Sequence, residues 1–461
     1  MAGRITDEAV RIVEVEVFFT TERPLGVFAF GGSIAGDLTL CYIRVRVADR
    51  KGRSANGWGA IFLSHPWAFP GAKPDGATKD RLMREIIVAL SVRLEGSDIW
   101  GHPLDHFLAV EPELEPLAAR VAVEQGVYVG VSQLCALVCL SPIDAAIHDA
   151  YGILHEVNTY EALGPENIGW DLGRVLGPAF AGRYLSDVVR GEPATFVPIA
   201  HTVGAVDPLT DADAGDGPIP SLGSWVERDG VYAFKVKLRG KDLRWDVGRI
   251  VDVYRIANER RLTGQAVHLL ADLNEQGPSV DYLLELLAGI KERSKDAFTA
   301  LEGLEQPAHR NLTQSSPSFR HISSIKPIVL DEGLTSLATI DQALLLGWNG
   351  IALKTCKCQS LMLLALAKAT ALGLQVSVQD LSNPSIALLQ SIGFASRLPD
   401  IRPLEANARQ YFPATSTPEA LVYPDIYKVR DGRVPAGGLT GPGLGYGIDR
   451  IDRPIFQRQQ R

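Results

Sequence analysis

The sequence predicts an α/β fold: a TIM-type barrel of parallel strands behind an N-terminal α+β capping domain. Three observations carry this. From about Thr195, short apolar runs alternate with stretches of helical periodicity, the signature of βαβ units. Eight such runs occur, at roughly 30 residues per unit, which fits a closed barrel. Ahead of them, residues 10–50 hold two runs in which apolar and polar residues alternate, as in an antiparallel sheet with one wet face.

The first two strands are "VRIVEVEVFF" and "LTLCYIRVRVADRKG". Between them lies a Gly- and aromatic-rich loop near 20–37, read as a lid or as a long hairpin connection. Two or three helices are expected from about Lys79 to Gly152. One is "SPIDAAIHDAYGI", with Ser141 as N-cap and Pro142 at the first helical position. The barrel strands are "TFVPIAHTV", "VYAFKVKLR", "AVHLLADLN", "FTALEGLEQP", "PIVLDEGL", "GIALKTC", "QVSVQD" and "SRLPDIRPL". The connection at 205–222 is acidic and rich in Gly and Pro, so it reads as an exposed insertion. The tract "LMLLALAKATALGLQVSV" reads as a buried helix followed by a strand rather than a membrane span. The expected boundaries are 1–150 for the capping domain, 151–420 for the barrel, and 421–461 for a C-terminal segment returning to the capping domain. The late "GPGLGYG" does not sit between strand and helix and reads as a loop.

The chain has 461 residues, 46% hydrophobic and 22% charged, which suits a large globular core. A net charge of −8 gives no basic footprint for nucleic acid. The start has no apolar stretch of the secretory kind, and the five cysteines lack two-knuckle zinc spacing. Cytoplasmic localisation and reduced thiols are the expectation.

The chemistry is carried by strand ends. Lys235 and Lys237 close the second barrel strand, Asp272 the third, Glu305 the fourth, Asp331 and Glu332 the fifth, and Lys354 the sixth. Lys-x-Lys alone reads as a solvated strand edge. Five consecutive charged strand ends do not, because strand C-termini converge on one barrel face. Asp272 and Asn274 share a face; Glu302 and Glu305 do not; Asp331 and Glu332 are ambiguous by the same parity. Carboxylates on three successive strands make a hard oxygen site for Mg2+, or Mn2+. Such a site suits removal of a proton next to a carboxylate, where a metal stabilises the developing enediolate. Lys235 beside Lys237 disfavours a second positive charge, which makes Lys237 a usable base.

"SPIDAAIHDAYG", "FKVKL", "ADLN", "LEQP", "DEGLTS", "ALKTCK" and "DGRVPAGGLTGPGLG", in this order, resemble the enolase superfamily in its muconate-lactonizing-enzyme-like branch. The resemblance implies a (β/α)7β barrel with a capping domain. It implies Asp272, Glu305 and Asp331 as metal ligands and Lys237 and Lys354 as the acid/base pair, the known Lys-and-Mg2+ pattern of the superfamily. It also implies a small-molecule carboxylate substrate and a homo-oligomer. The chain departs from the family at "CKCQS", where Gly-Gly often follows the sixth-strand lysine, and in lacking a seventh-strand histidine. Asn274, Asp380 and His201 are candidate substrate contacts; Asp380 reads slightly better as a helix cap, and His268 as a satisfied core histidine. The expected reaction is racemisation or epimerisation, with cycloisomerisation or dehydration next. A non-catalytic barrel with a binding role is the remaining alternative.

Overall fold

The computed structural model describes residues 6–30, 33–71, 73–262, 264–313 and 316–457. Its N-terminal part is an antiparallel sheet of β1 (Val10–Glu22), β4 (Leu38–Asp49) and β5 (Ser54–Phe62), in the order β1-β4-β5. A small hairpin, β2 (Phe28–Phe30) with β3 (Ser33–Ala35), lies inside the stretch read as a lid or as a long hairpin connection. Residues 31–32 of that stretch fall outside the described residues.

Five helices follow: α1 (His65–Ala68), α2 (Gly76–Glu95), α3 (Pro103–Val110), α4 (Leu114–Glu124) and α5 (Gln133–Leu154). The expected start at Ser141 is corrected. The helix begins nine residues earlier, capped by Ser132, whose hydroxyl accepts from Cys135 N, and Pro142 lies inside it. Packing explains the tolerance of proline. Nearly the whole of α5 is buried, and it sits so close to β5 that a Cβ on Gly59 would come 2.0 Å from the Pro142 carbonyl oxygen. Burial on this scale outweighs the lost hydrogen bond of an interior proline.

The second part is a closed barrel of eight parallel strands: β6 (Phe196–Val203), β7 (Ala233–Lys237), β8 (His268–Asp272), β9 (Leu301–Glu305), β10 (Ile328–Leu330), β11 (Gly350–Lys354), β12 (Gln375–Gln379) and β13 (Leu404–Glu405). Closure comes from β13 pairing with β6, Leu404 with Ile199 and Glu405 with Ala200. Seven of the eight sequence runs hold a barrel strand, and the eighth, "SRLPDIRPL", ends on Leu404, the first residue of β13. Serine or aspartate caps start most of the surrounding helices, as Asp242 does for Leu243–Arg260, Ser279 for Val280–Arg293 and Ser336 for Leu337–Leu345. The 205–222 insertion carries a short helix, Asp211–Ala214, and brings Ile219 against Gly26.

After the barrel, β14 (Arg433–Pro435) pairs antiparallel with β6. The chain then crosses to the N-terminal sheet, where the Phe456 ring packs on Trp58 and Tyr42. The "GPGLGYG" loop lies on α5: Asp149 accepts from Leu444 N with one oxygen and from Trp58 N with the other.

Candidate active site

Parallel pairing puts Lys237 beside Asp272, Asp272 beside Glu305, and Lys354 beside Gln379 beside Glu405. Paired residues share a face, so all of these point to the barrel axis at the strand C-terminal ends. The buried cluster that results is held by ion pairs. Lys235 Nζ donates to Glu305 Oε1 at 2.7 Å and to Gln379 Oε1 at 2.6 Å, and lies 3.1 Å from Asp272 Oδ2. Lys237 Nζ donates to the same Asp272 oxygen at 2.5 Å and to Asn274 Oδ1 at 3.0 Å. The two ammoniums therefore share one carboxylate oxygen. Lys354 Nζ donates to Asp331 Oδ2 at 2.7 Å.

The structure resolves the parity questions. Glu305 faces inward, whereas Glu302 meets His268 Nδ1 at 2.7 Å on a half-exposed face. His268 is thus a half-exposed ion-pair partner at the start of its strand, not a core histidine. Asp331 and Glu332 both border the cluster. Glu332 Oε1 accepts from Asn274 Nδ2 at 2.9 Å and from Trp67 Nε1 at 3.0 Å. Asn274 accordingly lies within the cluster.

Two expectations fail. His201 points to the opposite face of β6, against Trp225 and Arg409, because Thr202 takes the inward position. Asp380 is not a helix cap. Its Oδ1 accepts from Ser382 N at 2.6 Å in a local turn, and the next helix starts only at Ser385.

Several groups escaped the sequence reading. Glu405 and Thr202 complete the ring, with the Thr202 hydroxyl donating to Glu405 Oε1. Extending the strand-end rule to "RPLEAN" would have found Glu405. Lys357 sits in the "CKCQS" departure and donates to the Asp331 carbonyl at 2.5 Å and to its Oδ1 at 3.0 Å. Trp67 arrives from α1, its ring 4.7 Å from Lys354 Nζ, and no local pattern marks it.

Burial makes the charges interact strongly. Burial by itself would lower Lys235, but Asp272, Glu305 and Glu405 together outweigh it and hold the ammonium well above its usual range. Burial and the neighbouring Asp272 and Asp331 push Glu305 up to about 8, despite Lys235. Burial and the same two aspartates push Glu332 up to about 7. Among the described residues, no three carboxylates gather at metal-ligating spacing; the lysine ammoniums stand between them. The donor set nevertheless fits a divalent cation. Among the described residues, Asp272, Glu305, Asp331, Glu332, Asp380 and Glu405 are all buried and faced by the four ammoniums of Lys235, Lys237, Lys354 and Lys357, while the nearby Arg310 is neutralised by Glu275. With every group ionised, two negative charges remain, which one hard dication balances.

Lys237, Lys354, Asp380, Glu405 and Trp67 line a cavity of about 40 Å³. A larger groove of about 820 Å³ lies beyond the outer face of β6 and contains none of the cluster lysines. The charged cluster borders the smaller one.

The fold and the strand-end cluster define an acid- and lysine-lined barrel with a capping domain. Residues 221–452, half of the chain, match the family model described as enolase C-terminal domain-like. The chain belongs to the enolase superfamily, in its mandelate racemase and muconate lactonizing enzyme branch. Among solved structures it is similar to a superfamily member from Roseovarius nubinhibens complexed with magnesium, at 18% identity and TM-score 0.60, covering 97% of this chain and 98% of that one. It is similar to muconate lactonizing enzyme from Pseudomonas fluorescens complexed with muconolactone, at 15% identity and TM-score 0.61, covering 96% of each. It is also similar to the N-succinyl Arg/Lys racemase of Bacillus cereus, at 16% identity and TM-score 0.58, covering 94% of this chain and 95% of that one. No curated protein matches significantly. At these identities the structural likeness speaks for the fold.

Proposed function

We propose that this protein removes a proton from the carbon next to a substrate carboxylate, as a racemase or epimerase. One observation carries the reading: Lys237 and Lys354, on the second and sixth of eight barrel strands, line one cavity from opposite sides. Two bases on opposite faces of a carbon allow one to take the proton and the other to return it with inversion. Asp272, Glu305 and Asp331 would hold Mg2+. When bound, the ion supplies positive charge for the enediolate oxygens of the substrate. Lys235 stays a cation, anchored by Glu305 and Gln379. Trp67 and the capping domain exclude water, which strengthens every charge interaction inside. The complexes in the same structural class are with small carboxylates, such as mandelic acid and a dipeptide, and that supports a carboxylate substrate. Cycloisomerisation or elimination uses the same lysines, one of them only steadying charge, and is the second reading.

Proton NMR in D2O with Mg2+ and a panel of carboxylic acids tests this. Exchange of the α-proton with inversion is expected. Lys237→Ala and Lys354→Ala should each lower turnover by ~10²–10⁴-fold, the usual contribution of a positioned acid or base, while Mg2+ binding measured by calorimetry persists. Full activity in Lys354→Ala would sink the two-base mechanism.

A further inference from the structure

The groove of about 820 Å³ on the outer side of β6 is of ligand-binding size, since small-molecule sites run roughly 300–1,000 Å³. Much of its lining is apolar. Ile199 contributes from the outward face of β6, and Leu25, Leu388, Phe412, Leu421 and Val429 add to it. Leu421 is 79% exposed, an uncovered apolar side chain at the edge of a cavity.

The charges around the groove do not balance. Arg228, Arg409, Lys428 and Arg430 line it against one carboxylate, that of Asp229, in a chain whose net charge is −8. Asp229 already serves two guanidiniums, with Arg228 Nε 2.7 Å from its Oδ1 and Arg409 Nη1 2.6 Å from its Oδ2. Both guanidiniums lie over the Trp225 ring, 4.0 and 4.7 Å from its centroid. Arg430 pairs with Asp425 at 3.3 Å on the surface, where such a pair is weak.

Arg409 is also short of acceptors. Its Nε has no partner, and its Nη2 faces His201 Nδ1 at 3.2 Å. Gln410 Nε2 faces the other ring nitrogen at 3.2 Å. The Gln410 amide cannot turn round without loss, because its Oε1 accepts from Thr202 N and its Nε2 donates to Thr202 O. Burial and the two guanidiniums keep the His201 ring neutral. A neutral imidazole has one acceptor nitrogen, so one of these two donors goes unmet.

A neutral apolar molecule would leave the guanidinium unanswered, and a cation would be repelled. An inorganic anion would leave the apolar lining wet. We infer that this groove binds a small organic acid anion with an apolar body, its charged end toward Arg228 and Arg409 and its body along Ile199, Leu388 and Leu421. The site stands apart from the proton-abstraction reading and does not depend on it.

Calorimetry on the Mg2+-loaded full chain tests this with three probes of one chain length: octanoate, octan-1-ol and octylamine. Octanoate should bind at least ~10-fold tighter than octanol, the gain of a charge-assisted contact over an apolar body alone. Octylamine should bind more weakly than either. The double variant Lys428→Glu/Arg430→Glu, which alters exposed side chains, should narrow the octanoate-to-octanol ratio by ~3-fold or more. Arg409→Met should bring the ratio close to one; if it fails to fold, the surface double variant decides. Lys354→Ala should leave octanoate binding as in the parent. Equal binding of octanoate and octanol overturns the proposal. A preference that survives the charge inversions but vanishes in Lys354→Ala places the anion in the barrel cluster and also overturns it. A dimer that octanoate dissociates in sedimentation would assign the groove to a second copy of the chain, against the small-anion site.

Discussion

The residue that most changes the picture of this site is Lys357. Its ammonium ties down both the carbonyl and one carboxylate oxygen of Asp331, while Lys354 takes the other oxygen. Lys237 and Lys354, the proposed acid/base pair, therefore each share a carboxylate with a second cation: Lys237 with Lys235 on Asp272, and Lys354 with Lys357 on Asp331. Burial would lower Lys357, and Asp331 offsets that only in part. Replacing Lys357 by Met keeps the volume roughly but leaves the buried Asp331 Oδ1 without a donor, while the Asp331 carbonyl keeps only Leu334 N. Lys357→Met is expected to destabilise the fold by about 1–3 kcal/mol and to reduce turnover through a misplaced Asp331. Urea denaturation beside steady-state rates checks this. A variant with unchanged stability and rate would show that Lys357 does not hold Asp331.

At the scale of elements, the contact between α5 and β5 sets the position of the capping sheet. It works because β5 carries glycine where the helix crosses. A Cβ on Gly59 would lie 2.0 Å from the Pro142 carbonyl oxygen, and one on Gly57 would lie 2.0 Å from Ala150 N. Both obstacles are backbone atoms, so no side-chain rotation relieves them. Gly59→Ala is expected to cost at least about 1–3 kcal/mol, the usual penalty for overpacking, with the loss seen as a lower denaturation midpoint. A midpoint equal to wild type would mean the helix can shift away freely. The same contact explains why Pro142, which reads locally as a helix start, lies within a 22-residue helix. Local signals mark where a helix can begin, but burial against a sheet decides whether an earlier turn joins it.

Across the whole molecule, helices from the capping part meet the barrel through buried polar groups. His148 on α5 reaches Ser360 Oγ of the barrel at 2.9 Å and Thr159 Oγ1 at 3.3 Å, and burial lowers its pKa to about 3. In the unfolded chain the same ring takes a proton near 6.5. The stability its neutral form provides is therefore complete above pH 6.5 and drains away as pH falls toward 3, by about 1.4 kcal/mol per pH unit. Asp144 and Asp149 work in the opposite direction, since burial raises them to about 6 and about 7. The histidine is isolated by comparing His148→Gln with the parent chain. The variant should lose less stability between pH 6.5 and pH 5, whatever its absolute stability. Parallel stability curves for the two proteins would exclude His148 as an acid-sensitive joint.

Local sequence patterns were enough for the class of fold, for seven of the eight barrel strands, and for the acids and lysines at five strand ends. Those follow from local periodicity, and in a barrel the end of a strand has only one place to go. Long-range packing settled that His201 faces outward, that Asp380 caps nothing, and that Trp67, Lys357 and Glu405 join the cluster. Each of these depends on which face of an element meets a distant one: Trp67 approaches Glu332 across 265 residues of chain. Inward or outward parity in a strand flips with a single residue of register, and register is fixed by the pairing of neighbours, a long-range quantity that no short window of sequence contains.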